Sequence, residues 1–63
     1  MNNTLLVRNF QSEIKLIQWL DMEQGKHESP ESFYGWLEGY LEEGNEICIQ
    51  GSRLDYATIC EIF

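Results

Sequence analysis

Positive charge is what this sequence has least of. Four Lys and Arg stand against eleven Asp and Glu in 63 residues, a formal net charge of −7. Proteins that hold nucleic acid directly neutralise phosphates with clustered Lys and Arg, so direct nucleic-acid binding is not expected. An anionic membrane surface is disfavoured for the same reason. No apolar run approaches the roughly 20 residues needed to cross a bilayer, and residues 1–10 hold only a short apolar stretch with no basic leader. The expectation is therefore no signal peptide, no membrane and a cytoplasmic location. There are two cysteines, which in a reducing compartment act as small apolar residues rather than as a disulfide.

Catalytic and metal-binding residue types are equally thin. The one histidine, His27, sits in a linker beside Lys26 and Glu28, where a solvated surface role is expected. Cys48 and Cys60 lie in apolar patterns with no basic neighbour to lower a thiol pKa. Two cysteines and one histidine never come at zinc-like spacing, and the acids do not alternate around a glycine as a calcium loop requires. No glycine loop followed by Lys and Ser or Thr is present to cradle phosphate. The expectation is a protein that is not an enzyme, with no catalytic residues, no cofactor and no metal.

What the chain does have is aromatic and acidic side chains in helical register. Residues 29–44 read as one complete amphipathic helix. Ser29 can cap it, Pro30 suits its first position, and Gly44 with Asn45 ends it. Phe33, Trp36, Leu37, Tyr40 and Leu41 repeat at helical spacing, while Glu31, Glu38 and Glu42 hold the other side with Glu43 beside them. Gly35 and Gly39, four apart, each cost roughly 1 kcal/mol against alanine. They serve either close packing on another helix or a face on which a partner docks.

A first helix is predicted over residues 10–24, capped by Asn9, with Phe10, Ile14, Ile17 and Leu20 or Asp21 on one face, Leu16, Trp19 and Met22 beside it, and Gly25 as a left-handed stop. Residues 5–7 pair as an edge strand or pack as an arm. Residues 46–50 alternate as a short extended segment, and Gly51 turns the chain. Ser52 with Asp55 has the form of a capping box opening a third helix over residues 53–63. The rival reading of residues 46–63 is a hairpin, because residues 47–49 and 56–60 are both rich in strand formers.

The expected fold is thus mainly α, a compact three-helix single domain with a short extended segment near 46–50. Its core is expected from Phe10, Ile14, Ile17, Trp36, Leu37, Tyr40, Leu41, Ile59 and Ile62. Trp19, Phe33 and Phe63 either complete it or form a self-association patch, and a chain this small is a candidate homodimer.

Six glutamates, Glu28, Glu31, Glu38, Glu42, Glu43 and Glu46, fall within nineteen residues, and no Lys or Arg lies between Lys26 and Arg53. Glu42 and Glu43 occupy the predicted last turn of a helix, where the dipole opposes them. The cluster either confers solubility and helix propensity or forms a carboxylate array that meets Lys and Arg on a partner. On the second reading the partner is a protein with a basic surface. The contacts would be Glu38, Glu42, Glu43 and Glu46, with Tyr34 and Trp19 as aromatic anchors.

Phe33, Trp36, Leu37, Glu38, Gly39, Tyr40 and Glu42, followed by Ile59, Ile62 and Phe63, resemble a group of small phage proteins. These carry an aromatic-x-x-Trp-Leu-Gln/Glu-Gly-Phe/Tyr-x-Glu helix and a terminal helix. The likeness covers the C-terminal half, while residues 1–27 depart from it. It implies a small phage-encoded accessory protein made in the bacterial host cytoplasm, and it favours a terminal helix over the hairpin. Combined with the charge, the expected function is inhibition of a host or antiviral-defence protein by occupying its basic, nucleic-acid-binding surface. The alternative is an adaptor or assembly protein that joins a larger complex through an apolar helix face.

Overall fold

The computed structural model describes residues 5–63. Its elements run β1 (Val7–Phe10), α1 (Glu13–Gln24), α2 (Pro30–Glu42), β2 (Glu46–Ile49), β3 (Ser52–Arg53) and α3 (Tyr56–Ile62). Three helices and a small sheet gather around one core, so the mainly helical reading holds and a three-stranded sheet is added to it. The Cα radius of gyration is 11.6 Å, close to the ~11 Å expected of a folded chain of this length.

α2 forms where its residues direct. Ser29 is extended and its Oγ accepts from the Ser32 N–H, with Pro30 in the first turn. Gly44 takes φ +106°, a left-handed position that follows the last turn. The Leu5 side chain lies 3.3 Å from where a Gly44 Cβ would be, so a larger residue would also have to displace that leucine slightly.

α1 departs from expectation at its start. Residues 7–10 are strand, so Asn9 caps nothing and Phe10 belongs to β1. The cap is Ser12, whose Oγ accepts from the Lys15 N–H. The buried face follows from that helix: Leu16 and Leu20 are fully covered, whereas Ile14 is 66% exposed and Ile17 half-buried. Gly25 is not left-handed; at φ −64° it continues the right-handed turn and its N–H bonds to Asp21 O.

β2 is the central strand. β1 pairs with it in parallel, Val7 opposite Glu46 through Phe10 opposite Ile49, and α1 and α2 together form the crossover that a parallel pair requires. β2 and β3 form a tight hairpin, Ile49 opposite Ser52, around Gln50 and Gly51. Both turn residues have positive φ, 50° and 84°, the signature of a two-residue type I′ turn. Ser52 is therefore a strand residue. The helix α3 starts three residues later than expected and is capped by Asp55, whose carboxylate accepts from the Thr58 N–H at 2.8 Å.

The buried core is Leu16 and Leu20 of α1, Phe33 and Leu37 of α2, Ile47 and Cys48 of β2, and Ile59 of α3. Phe10, Trp36, Tyr40, Leu41 and Ile62, expected within it, are half-buried and pack around its margin. Phe33 is wholly enclosed and Phe63 packs on it at 5.7 Å between ring centroids, so Phe33 offers no self-association surface.

Candidate functional site

The last two turns of α2 place Glu38, Leu41 and Glu42 on the side facing the β3–α3 link. Together with Asn45, Arg53, Leu54, Asp55 and Tyr56 they enclose a cleft of about 240 Å³. Leu41, Leu54 and Tyr56 supply apolar surface to it, and Glu38, Glu42 and Asp55 supply carboxylates. Asn45 braces one end. Its side-chain N–H donates to Tyr40 O at 2.9 Å, and its Oδ1 accepts from the Leu6 N–H at 3.0 Å, tying the end of α2 to the N-terminal segment.

The charge of the cleft is mixed but mainly negative: three carboxylates line it with one guanidinium, that of Arg53. Among the described residues one ion pair forms, Lys26 to Glu23 at 3.0 Å, and it involves none of the cleft carboxylates. Asp55 is held below the ordinary carboxylate range by its hydrogen bonds from the Thr58 hydroxyl and backbone N–H. The Tyr56 phenol is pushed above its usual value, first by a hydrogen bond to Cys60, then by desolvation, with smaller electrostatic contributions from its neighbours, among them the Glu38 carboxylate. Tyr56 thus remains a neutral hydroxyl throughout the physiological range. A mixed cleft of this kind suits the stem and charged head of a lysine or arginine side chain: apolar walls for the methylenes, carboxylates for the cation.

The expected contact residues are not all in one place. Glu38 and Glu42 line the cleft. Glu43 caps the end of α2 and is exposed, and Glu46 is half-buried at the start of β2. Tyr34 packs edge-on against Phe33 at 5.2 Å and is half-buried. Trp19 belongs to a different neighbourhood. It sits among Phe10, Trp36 and Tyr40 at 5.5, 6.2 and 6.4 Å, with the Arg8 guanidinium 4.8 Å above its ring. Arg8 Nε also donates to the Tyr40 hydroxyl at 3.3 Å. Trp19 is therefore bound up in an aromatic cluster of α1, α2 and β1. Sequence reasoning missed Leu41, Asn45, Arg53, Leu54, Asp55 and Tyr56 as cleft residues. It expects the third helix from residue 53, and the hairpin weighed as its rival is a different one from the short β2–β3 turn that ends at Arg53.

His27 is not the free surface residue expected. It is half-buried against Phe33 and Trp36 at 5.8 and 5.6 Å, with Nδ1 3.4 Å from the Ser32 hydroxyl. Among the described residues no carboxylate bonds to its ring. Cys48 and Cys60 are free thiols, one buried and one half-buried. Among the described residues no group of three or more His, Cys, Asp or Glu could hold a metal ion, and no helix is long and apolar enough to cross a membrane.

No family model, curated protein or solved structure matches the chain. The functional reading therefore rests on its own residues.

Proposed function

We propose that this protein is a non-enzymatic, phage-encoded binding protein. On this reading it inhibits a host or antiviral-defence protein by covering a basic, nucleic-acid-binding surface. The observation that carries the reading is the cleft in which Glu38 and Glu42 lie beside the apolar Leu41, Leu54 and Tyr56, neither of them in an ion pair among the described residues. Arg53 also lines it, and Asp55 is engaged as the α3 cap. Carboxylates left free beside apolar surface are complementary to Lys and Arg on a partner. The phage context comes from the helix motif at Phe33 to Glu42 and is part of the proposal.

The mechanism is occlusion. Glu38 and Glu42 accept hydrogen bonds from a basic side chain seated in the cleft. The exposed Glu43 and the rest of the −7 charge steer the approach. Nucleic acid is then excluded because its phosphate-binding residues are already paired.

The test is capture from bacterial lysate with the tagged protein, washed in parallel at low and high salt. It is followed by binding of the captured protein to the Glu38→Gln, Glu42→Gln double variant. Loss of the partner at high salt and weaker binding by the variant support occlusion. A partner retained at high salt and indifferent to the variant would sink it.

The adaptor reading draws on a different observation, the exposure of Ile14 (66%) and Met22 (60%) on α1. Phe33 is enclosed in the core and Trp19 is packed in its aromatic cluster, so an apolar interface would use this face of α1 instead. It predicts a partner insensitive to salt and lost on Ile14→Lys.

A further inference from the structure

β1 is an edge strand whose outer side carries no neighbour among the described residues. Glu46 N–H bonds to Leu6 O at one end of the β1–β2 pair and Gln50 N–H to Phe10 O at the other. With the register Val7–Glu46 through Phe10–Ile49, the main-chain groups of Leu6, Arg8 and Phe10 point at β2. Those of Val7 and Asn9 point away from it. An outward row of unpaired N–H and C=O groups is a template for another strand.

The same segment is apolar and acid-free. Leu5, Leu6 and Val7 are 55%, 45% and 63% exposed. The first carboxylate of the chain is Glu13, and Arg8 is the one charged side chain before it. Across the sheet the half-buried Glu46 stands opposite Val7 and next to Arg8, so the two charges offset each other and a second copy of this −7 protein meets less net negative charge here than along the glutamates of α2. A basic partner finds here one half-buried carboxylate, Glu46 across from Val7, with Arg8 beside it.

We propose that the protein pairs with a second copy of itself through β1, antiparallel about a twofold axis at Val7. In this register Val7 bonds with Val7 of the other copy, and Leu5 opposes Asn9. Leu6 opposes Arg8, so the leucine covers the methylene stem of the arginine. The alternative register centred on Arg8 places two guanidinium-bearing residues face to face, which like-charge repulsion disfavours. The result is a continuous six-stranded sheet across the dimer. This pairing is independent of the occlusion reading and is measured on the purified protein alone.

The test is sedimentation equilibrium of the wild type from micromolar to millimolar concentration at low and high salt, with backbone amide hydrogen exchange at the same concentrations. Three results are expected together. A dimer of twice 7.4 kDa tightens as salt screens the mutual repulsion. The Val7 and Asn9 amides gain protection as concentration rises. Val7→Lys raises the dissociation constant at least tenfold, while Ile14→Lys leaves it unchanged. Val7 is too exposed for its replacement to unfold the core, and an unaltered circular dichroism spectrum verifies this. A monomer at every concentration overturns the proposal. So does a dimer that survives Val7→Lys with the Asn9 amide still exchanging freely.

Discussion

Two surfaces of this molecule solve opposite problems. The cleft between α2 and the β3–α3 link gathers three carboxylates and Arg53 around apolar walls, with Asp55 capping α3. Residues 5–10 carry no carboxylate of their own, with Glu46 half-buried across from Val7; they hold three exposed apolar side chains and, among the described residues, outward backbone groups without a partner. Salt separates the two. Screening over a Debye length of about 10 Å at 0.1 M weakens attraction of a basic partner to the cleft. The same screening relieves repulsion between two acidic copies and favours pairing at β1. On the two proposed readings, the charge distribution of a small domain assigns different partners to different faces that rest on one core.

The most severe way to break the comparison is to remove what both surfaces share. Phe33→Ala deletes a fully enclosed ring and is expected to cost about 3–5 kcal/mol. A domain of this size commonly has total stability of only about 3–9 kcal/mol. Thermal denaturation followed by circular dichroism should show most or all of the cooperative transition lost. Partner capture and dimerisation should fall together.

Charge reversal separates the surfaces. Glu38→Lys with Glu42→Lys should slow association with the captured partner about tenfold at low salt and leave the dimer constant unchanged or tighter. Stopped-flow or surface binding kinetics measure the first and sedimentation the second. Equal losses in both would mean that the two surfaces are one.

Smaller still is the effect of the helix glycines. Neither Gly35 nor Gly39 has an atom within 4 Å of an added Cβ, so the close-packing explanation for them fails. Alanine at each should raise stability by about 0.5–1 kcal/mol, read from urea midpoints. If the stabilised variant keeps its fold and loses its partner, the contact lies on the glycine face rather than in the cleft.

The smallest effect is the titration of Asp55. Its carboxyl pKa is lowered in the fold by the Thr58 hydrogen bonds. The contribution is therefore fully present above the unfolded value of about 3.9 and is lost as pH falls through the lower folded value. Melting temperatures from pH 6 to pH 2 should converge between wild type and Asp55→Asn at the acid end. Asparagine keeps a cap but does not titrate. A constant difference across that range would show that the charge contributes nothing to the cap.

The sequence by itself determined the elements whose signals are local. Ser29, Pro30 and Gly44 bracket α2 because a cap, a preset φ and a left-handed stop act within a few bonds. The stripe from Phe33 to Leu41 identifies its inner side, and the acid surplus is a matter of counting. The terminal helix was also legible, although its cap belongs to Asp55 rather than Ser52.

Tertiary structure decided the rest. β1 exists because residues 7–10 find β2 some 39 positions away, a pairing with no local signature. That strand moves the start of α1 to Ser12, and the helix then buries Leu16 and Leu20 in place of Ile14 and Ile17. The Gln50–Gly51 turn brings residues 53–56 against α2, which is what turns a row of glutamates into a cleft. Helical signals are written in spacing along the chain. Strand pairing, clefts and free edges depend on which distant segments meet, and the energy that selects among them resides in the assembled core.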